Sequence, residues 1–326
     1  MFKSQLVYSS LENAPSCHAS SLIELPDRTL RLAFFAGVYE KAKDVAIWTS
    51  SLSINEDPTV AKWSQPAILV KTPEQSMGSP VWYLDPNNRL YIFFLVMHHG
   101  RILPAGWSVC TIQYRYSEDL GKTWSNNHYL RRWWFWVNRA PIVVADNGSV
   151  IFPMHREMFQ YQSHMFINDK QDLSGKWKRR GRLKTPKGCL EPSVTKLPSG
   201  ELICALRTKD KKIYFSRSKD HGKTWTKPEP TNFPNPNSQC SVYTLKSGRL
   251  VLVYNHSEHS RTPLSIVHSN DGGYSWSERK DIENTPNAEF SYPAILQDSN
   301  GFINITYTHF RKQIKHVVFD EQWLES

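Results

Sequence analysis

Tryptophans recur along this chain about every fifty residues, and this regularity restricts its fold more than any other feature. Successive members of the series are 47 to 61 residues apart: Trp63, Trp124, Trp177, Trp225, Trp276 and Trp323. Such a period is typical of β-propellers, in which each repeat is one four-stranded blade. The spacing therefore predicts an all-β chain built from repeated sheets.

Three of these tryptophans end a common motif. It reads SEDLGKTW at 117–124, SKDHGKTW at 218–225 and SNDGGYSW at 269–276, and NDKQDLSGKW at 168–177 is a degenerate copy. Asp in a tight turn accepts hydrogen bonds from backbone N–H groups two residues on, and Gly supplies a positive φ. We predict that each copy closes the hairpin between the third and fourth strands of a blade and packs its Trp between sheets. The motif is interpreted as a structural element and not as a binding site.

A second repeated element has an apolar run, a turn and another apolar run. It occurs six times, for example as SSLIELPDRTLRLAFF at 20–35 and PSVTKLPSGELICALR at 192–207. Apolar runs around a Gly, Asn or Asp turn indicate β-hairpins. Six hairpins predict a six-bladed β-propeller with Asp-box hairpins, which forms a single domain over residues 1–326.

Charge and cysteine content restrict the partners. The net charge of +10 favours an acidic partner. Lys and Arg are scattered along the chain, which argues against a continuous basic stripe that binds nucleic acid. The five cysteines form no CxxC pair, so we expect neither a disulfide framework nor a metal site, and no cofactor. The first residues lack the apolar core of a secretory signal. We expect a cytoplasmic protein, and a location peripheral to the inner membrane is the alternative.

The predicted topology also locates a site. First and third strands start, and second strands end, at the face opposite the Trp motifs, so their terminal side chains converge there. These polar side chains are His18, Asp44, Arg139, His155, Arg156, Glu191, Arg207, Arg261, Tyr292, His309 and Arg311. Convergent polar groups of this kind are the default site hypothesis. A purely structural Glu191–Arg207 salt bridge stays open. His98 and His99 are a weak metal candidate, because neighbouring residues on a strand point to opposite faces.

The Trp motif is identified as the Asp box, and the chain resembles the sialidase-type (BNR-repeat) propeller superfamily. Three further stretches are similar to that family's strand edges: CHASSLIELPDRTLRLAFF at 17–35, EPSVTKLPSGELICALR at 191–207 and FSYPAILQDSNGFINITYT at 290–308. The resemblance implies a retaining exo-glycosidase for a terminal α-keto-acid sugar. It implies Tyr292 as nucleophile, Glu191 as its base and Asp44 as acid/base.

The resemblance further implies three arginines that bind the sugar carboxylate, and only Arg207 matches clearly. His18 stands where the family has its first Arg. The candidates for the remaining substrate contacts are Arg261, Arg311, Arg139, Arg156 and His155. The missing Arg puts sialic acid in doubt and makes a Kdo-like ulosonic acid on an acidic glycan or glycolipid an attractive substrate.

Two other functions are open. A polysaccharide lyase would use His18, His155 or His309 with Tyr292 and Arg207 for proton abstraction from a uronate. A non-catalytic glycan-binding propeller is the other.

The stretch LRRWWFWVNR at 130–139 has two interpretations. Its cationic and aromatic side chains could stack on sugar, contact a membrane surface or bind a membrane subunit: Arg131, Arg132, Trp133, Trp134 and Trp136. Alternatively, it is a buried outer strand.

Overall fold

A computed structural model describes residues 1–58, 60–98, 106–158 and 160–326. The first strands are β1 (Phe2–Leu6), β2 (Ser16–Glu24), β3 (Thr29–Gly37), β4 (Ala46–Ser53), β5 (Ala67–Val70), β6 (Ser76–Leu84), β7 (Leu90–Met97), β8 (Cys110–Ser117), β9 (His128–Arg131), β10 (Trp136–Asn138), β11 (Val143–Val144), β12 (Val150–Arg156) and β13 (Gln162–Asn168). They are followed by β14 (Lys178–Leu183), β15 (Cys189–Lys196), β16 (Leu202–Thr208), β17 (Lys212–Ser218), β18 (Glu229–Pro234), β19 (Ser241–Thr244), β20 (Leu250–Asn255), β21 (Leu264–Ser269), β22 (Lys280–Glu283), β23 (Phe290–Gln297), β24 (Ile303–His309), β25 (Gln313–Phe319) and the helix α1 (Glu321–Glu325).

The strands form six sheets, which are the six predicted blades. Blade 1 is β2–β5, blade 2 is β6–β9, blade 3 is β10–β14, blade 4 is β15–β18 and blade 5 is β19–β22. Blade 6 has the order β1-β25-β24-β23, so the N-terminal strand completes the last sheet. The predicted all-β, six-bladed propeller is thereby confirmed.

The chain divides into two compact units. The first comprises Met1–Val137 and Tyr292–Ser326, and the second comprises Asn138–Ser291. Blades 1, 2 and 6 belong to the first unit, and blades 4 and 5 with most of blade 3 belong to the second. The single domain expected from the sequence stays a prediction. Among the described residues, no helix is long and apolar enough to cross a membrane.

The Asp boxes are turns held by one carboxylate. Asp220 accepts hydrogen bonds from the Thr224 N–H at 2.8 Å, the Thr224 hydroxyl at 2.7 Å and the Ser218 hydroxyl at 2.9 Å. The Gly222 N–H donates to Ser218 Oγ, and Trp225 Nε1 donates to the Gly222 carbonyl. The backbone donor therefore lies four residues after the Asp, not two as expected. Trp225 packs against the hydrophobic cluster between blades 3 and 4, as predicted.

Two tryptophans of the periodic series lie outside Asp boxes. Trp323 is in the C-terminal helix; its ring stacks on Phe2 at a centroid distance of 4.7 Å and makes a tilted contact with Phe319 at 4.5 Å. Trp63 is buried and donates its Nε1–H to Nδ1 of His316 at 3.2 Å. The spacing indicates the correct blade number, although these two residues have different structural roles.

His316 makes the stability of blade 6 sensitive to acid. It is buried and its Nε2 faces Asn304 Oδ1 at 2.9 Å, so the neutral ring is satisfied on both nitrogens. Burial, together with the positive charge of Lys3, lowers its pKa from 6.5 to about 3. The unfolded chain therefore takes up the proton first, and stability is lost as pH falls through 6.5 toward 3, by at most about 1.4 kcal/mol per pH unit. Urea denaturation of the protein and of His316→Gln at pH 7, 6 and 5 measures this. The stability difference between them should shrink toward pH 5, and an unchanged difference would contradict the assignment.

Candidate active site

The inner strands of four blades have an unusual backbone at equivalent positions. Ala19, Ser79, Glu191 and Tyr292 have positive φ values of 57°, 48°, 45° and 58°. In blades 1, 2 and 4 the pairing with the second strand shifts at this point, which marks a bulge. Bulges re-aim side chains, and non-glycine residues with positive φ concentrate at functional sites. Two of the four positions carry the residues predicted to be catalytic.

In the first unit, Tyr292 lies against His18. Their ring centroids are 4.1 Å apart with an interplanar angle of 58°. Both are buried, and His18 also makes an edge contact with Phe35 at 5.8 Å. The residue that replaces the family's first Arg is thus a direct neighbour of the predicted nucleophile.

Asp44 lies in the turn between β3 and β4, at the end of blade 1 where β2 begins. The Val38 N–H donates to its Oδ2 at 2.8 Å, which closes the turn. The side chain is partly exposed. The structure therefore places this carboxylate in the blade that also holds His18, and its acid/base role stays a prediction.

Glu40 in the same turn was not identified from the sequence. Its carboxylate accepts a hydrogen bond from Arg311 Nη1 at 2.5 Å and another from Trp107 Nε1 at 3.0 Å. Arg311, a candidate for the third carboxylate-binding Arg, is therefore already paired with a protein carboxylate. Trp107 also covers Gly78, where a Cβ would lie 2.6 Å from its ring.

In the second unit, Glu191 and Arg207 form a buried ion pair. Arg207 Nη1 lies 2.7 Å from Glu191 Oε2, and the side chains are 12% and 8% exposed. The Nε of Arg207 donates to Asn237 Oδ1 at 2.9 Å. Asn237 was missed by the sequence analysis, because it lies in a loop with no recognisable motif.

The environment of Glu191 keeps it ionised. Burial by itself raises the pKa of this carboxyl, but the charge of Arg207 and its hydrogen bond to Glu191 act against burial, and the pKa is lowered overall. The charge of Arg139, which is itself buried, acts in the same direction. A carboxylate held in its charged form can accept a proton or orient a cation.

His155 supports Glu191 from the backbone side. The Glu191 N–H donates to His155 Nδ1 at 3.2 Å, and His155 Nε2 lies 3.2 Å from Glu157 Oε1. A ring that accepts at Nδ1 carries its proton at Nε2, facing Glu157. His155 therefore acts on the position of Glu191, and its neighbour Arg156 donates to the Met158 sulfur at 2.8 Å.

Arg261 is held by Glu289. Its Nη1 donates to Glu289 Oε1 at 2.8 Å, and the Ser291 hydroxyl donates to the same oxygen at 3.0 Å. Asn255 Nδ2 donates to the carbonyls of Phe290 and Pro263, which joins the two segments. Glu289, like Asn237, is a partner that the sequence did not predict.

The predicted residues therefore form two groups. The first unit brings His18 to Tyr292, and the second brings Glu191, Arg207 and His155 together. His98 bonds to Thr111 Oγ1 and Gln75 Nε2, and His99 lies outside the described residues. The described part of the chain has no group of three or more His, Cys, Asp or Glu residues that could hold a metal ion.

Comparison with known proteins supports the fold. A curated sialidase of Bacteroides fragilis (strain YCH46) is 24% identical over 221 residues, which are 62% of this chain and 40% of that protein. This chain thus spans well under half of that relative's length.

Solved structures match over nearly the whole chain. A Dyadobacter fermentans DSM 18053 protein of unknown function superposes with a TM-score of 0.82 at 16% identity, covering 97% of this chain and 98% of its own. The Hadza microbial sialidase Hz136 has a TM-score of 0.82 at 15% identity, and the match covers 98% of this chain and 69% of that protein. The intramolecular trans-sialidase of Ruminococcus gnavus superposes with a TM-score of 0.78 at 15% identity, and the match covers 98% of each chain. At these identities the likeness shows the fold alone.

A family model described as the BNR repeat-like domain matches residues 28–305, which include all three complete Asp boxes. The chain therefore belongs to the BNR repeat-like family and is a sialidase-type β-propeller.

Proposed function

We propose that this protein is a retaining exo-glycosidase that removes a terminal α-keto-acid sugar from a glycoconjugate. The sugar is sialic acid or a Kdo-like ulosonic acid. The curated relative named a sialidase and the sialidase structures of the same fold support this class. The observation that carries the proposal is the buried, charged Glu191–Arg207 pair, with a positive φ at Glu191 as at Tyr292.

The proposed chemistry follows from the charge of the substrate. A carboxylate beside the anomeric carbon repels an anionic Asp or Glu nucleophile, so a neutral Tyr is favoured, and it needs a base because its ordinary pKa is near 10. Glu191 takes the phenolic proton as the Tyr292 oxygen attacks the anomeric carbon, and Asp44 protonates the departing glycosidic oxygen. Water then attacks the tyrosyl–sugar bond with Asp44 as base, and the proton returns from Glu191 to Tyr292.

The sugar carboxylate is bound by Arg207 in this proposal. Its guanidinium already contacts a carboxylate and an amide, so its remaining N–H groups point in fixed directions. Arg261 is a second candidate, restrained by Glu289, and Arg139 is a third. His18 replaces the family's first Arg, as a donor to the carboxylate or a contact to a sugar hydroxyl.

One observation favours the lyase alternative. The rings of His18 and Tyr292 are in contact, with centroids 4.1 Å apart, and a His–Tyr pair could abstract the α-proton of a uronate and protonate the leaving group. Arg207 would then neutralise the uronate carboxylate. This reaction needs no covalent intermediate and gives an unsaturated product.

The identity of the product tests the proposal. The protein is incubated with sialyllactose, with a Kdo-bearing core oligosaccharide and with a uronate polysaccharide, and the products are separated by anion-exchange chromatography. We expect a free reducing α-keto-acid sugar from one of the first two. An unsaturated uronate with ultraviolet absorbance would establish the lyase instead. Retained binding without any product would identify a glycan-binding module and contradict both enzymes.

A further inference from the structure

Apolar side chains are exposed on three loops at one end of the first unit. They are Val38 at 54%, Tyr39 at 65%, Trp133 at 76%, Trp134 at 42% and Phe310 at 42% exposure. We name this surface the apolar loop face. Its loops are 38–45 after β3, 132–135 after β9 and 310–312 after β24. Exposed apolar side chains that are grouped at one end of a domain mark a contact surface.

Hydrogen bonds hold the three loops together. Glu40, beside Tyr39, accepts from Arg311 next to Phe310 and from Trp107. The segment around Trp107 is joined to the third loop, because the Phe135 N–H donates to the Ser108 carbonyl at 3.0 Å. The apolar residues therefore belong to one preformed surface.

The aromatic stretch at 130–139 divides between surface and core. Trp136 is 4% exposed and begins β10, with Arg131 over its ring at 5.5 Å, so Trp136 is not available to a partner. Trp133 and Trp134 are the exposed residues, as the partner interpretation expects. Arg132 lies over the ring of Tyr129 at 4.6 Å.

Positive charge accompanies the apolar groups. Lys41, Arg132 and Lys312 are exposed on the same three loops. Tryptophan and tyrosine prefer the headgroup level of a bilayer, and exposed Lys and Arg add attraction to anionic lipid. A bound sugar would contact one or two of these side chains, whereas the surface of a lipid bilayer can contact all three loops.

We propose that the apolar loop face docks this protein on an anionic lipid membrane. The face is at the end of its blades that holds His18, Asp44 and Tyr292, because the Cys17 N–H at the start of β2 donates to the Arg311 carbonyl at 2.9 Å. Docking therefore turns this end toward glycans displayed on the lipid. The proposal does not depend on the proposed glycosidase activity, because binding is measured without turnover.

Vesicle flotation tests the docking. The full chain is mixed with vesicles of three parts phosphatidylcholine to one part phosphatidylglycerol at low salt. We expect binding to these vesicles, and the double variant Tyr39→Ser/Trp133→Ser to lower the partition coefficient by about tenfold or more. Raising the salt should weaken binding, because screening reduces the attraction to anionic lipid.

The control is Tyr274→Ser. Tyr274 is 76% exposed, like Trp133, but lies in the Asp box of blade 5. This variant should bind vesicles like the unmodified protein, and thermal melting checks that both variants fold. Absence of binding by the unmodified protein, or equal binding by the double variant, would overturn the proposal. Loss of soluble-oligosaccharide binding alone in the double variant would identify the face as a glycan surface and also overturn it.

Discussion

Replacement of Tyr292 by phenylalanine is expected to lower kcat/KM for sugar release by ~10³-fold or more while the protein stays folded. The change removes only the phenolic oxygen, which is the proposed nucleophile. The ring keeps its contact with His18, whose centroid lies 4.1 Å away. Activity is measured on whichever α-keto-acid glycoside yields free sugar, and folding is checked by thermal melting.

The matched control is Tyr254→Phe. The Tyr254 hydroxyl is 2.7 Å from His256 Nδ1, so this change also deletes one hydrogen-bonded phenol from a buried ring. It should lose some stability and keep its activity. If Tyr292→Phe retains more than about a tenth of the activity, Tyr292 is not the nucleophile.

The fold could be predicted because its signals are local. The Asp box is a turn whose Ser, Asp, Gly and Thr contact one another within a few residues, so the turn can be predicted from the motif alone. The hairpins likewise need only adjacent strands. Trp63 and Trp323 show the limit of this reasoning, because one packs against His316 and the other against Phe2, which is far away in the chain.

The site was predictable only in part. The strand ends indicated Glu191, Arg207 and Tyr292. The positive φ at Glu191 and Tyr292 could not be predicted, because neither position is a glycine or an asparagine. The partners Asn237 and Glu289 were missed, because a loop residue acquires its neighbours only through tertiary packing.

The stretch 130–139 shows the same limit for burial. Trp133 is 76% exposed and Trp136 is 4% exposed, although they are the same residue type three positions apart. The difference arises because β10 starts at Trp136 and carries it into the sheet. Composition alone could not separate the two roles.

Substitution of Arg207 by methionine is expected to lower the free energy of unfolding by about 3–5 kcal/mol at pH 7, because it leaves a buried carboxylate without its cation. Glu191 would keep its burial and lose its closest charge, 2.7 Å away. Urea denaturation measures the loss. In the double variant Glu191→Gln/Arg207→Met no uncompensated charge is left, so most of the stability should return.

The pH dependence of this loss has a definite sign. In the unmodified protein the charge and hydrogen bond of Arg207 lower the pKa of Glu191 below its unfolded value, so the pair stabilises the fold at neutral pH and less as pH falls. In Arg207→Met, burial dominates and raises the pKa above the unfolded value. The free energy of unfolding of the variant is then lowered most at high pH, where Glu191 is charged, and it rises again as Glu191 is protonated. The stability difference between the two proteins should shrink from pH 7 toward pH 4.

A second ion pair in the same blade separates structure from function. Arg217 Nη1 lies 2.9 Å from Glu201 Oε2 with 15% and 14% exposure, at the Asp-box end of blade 4. Arg217→Met should therefore lose stability and keep activity.

Arg207→Lys keeps the charge but loses the two-pronged guanidinium, so a carboxylate-binding role predicts a raised KM in this variant even if it is as stable as the unmodified protein. If both Arg207 variants release sugar as well as Arg217→Met, the Glu191–Arg207 pair is a structural salt bridge and Arg207 does not bind the substrate.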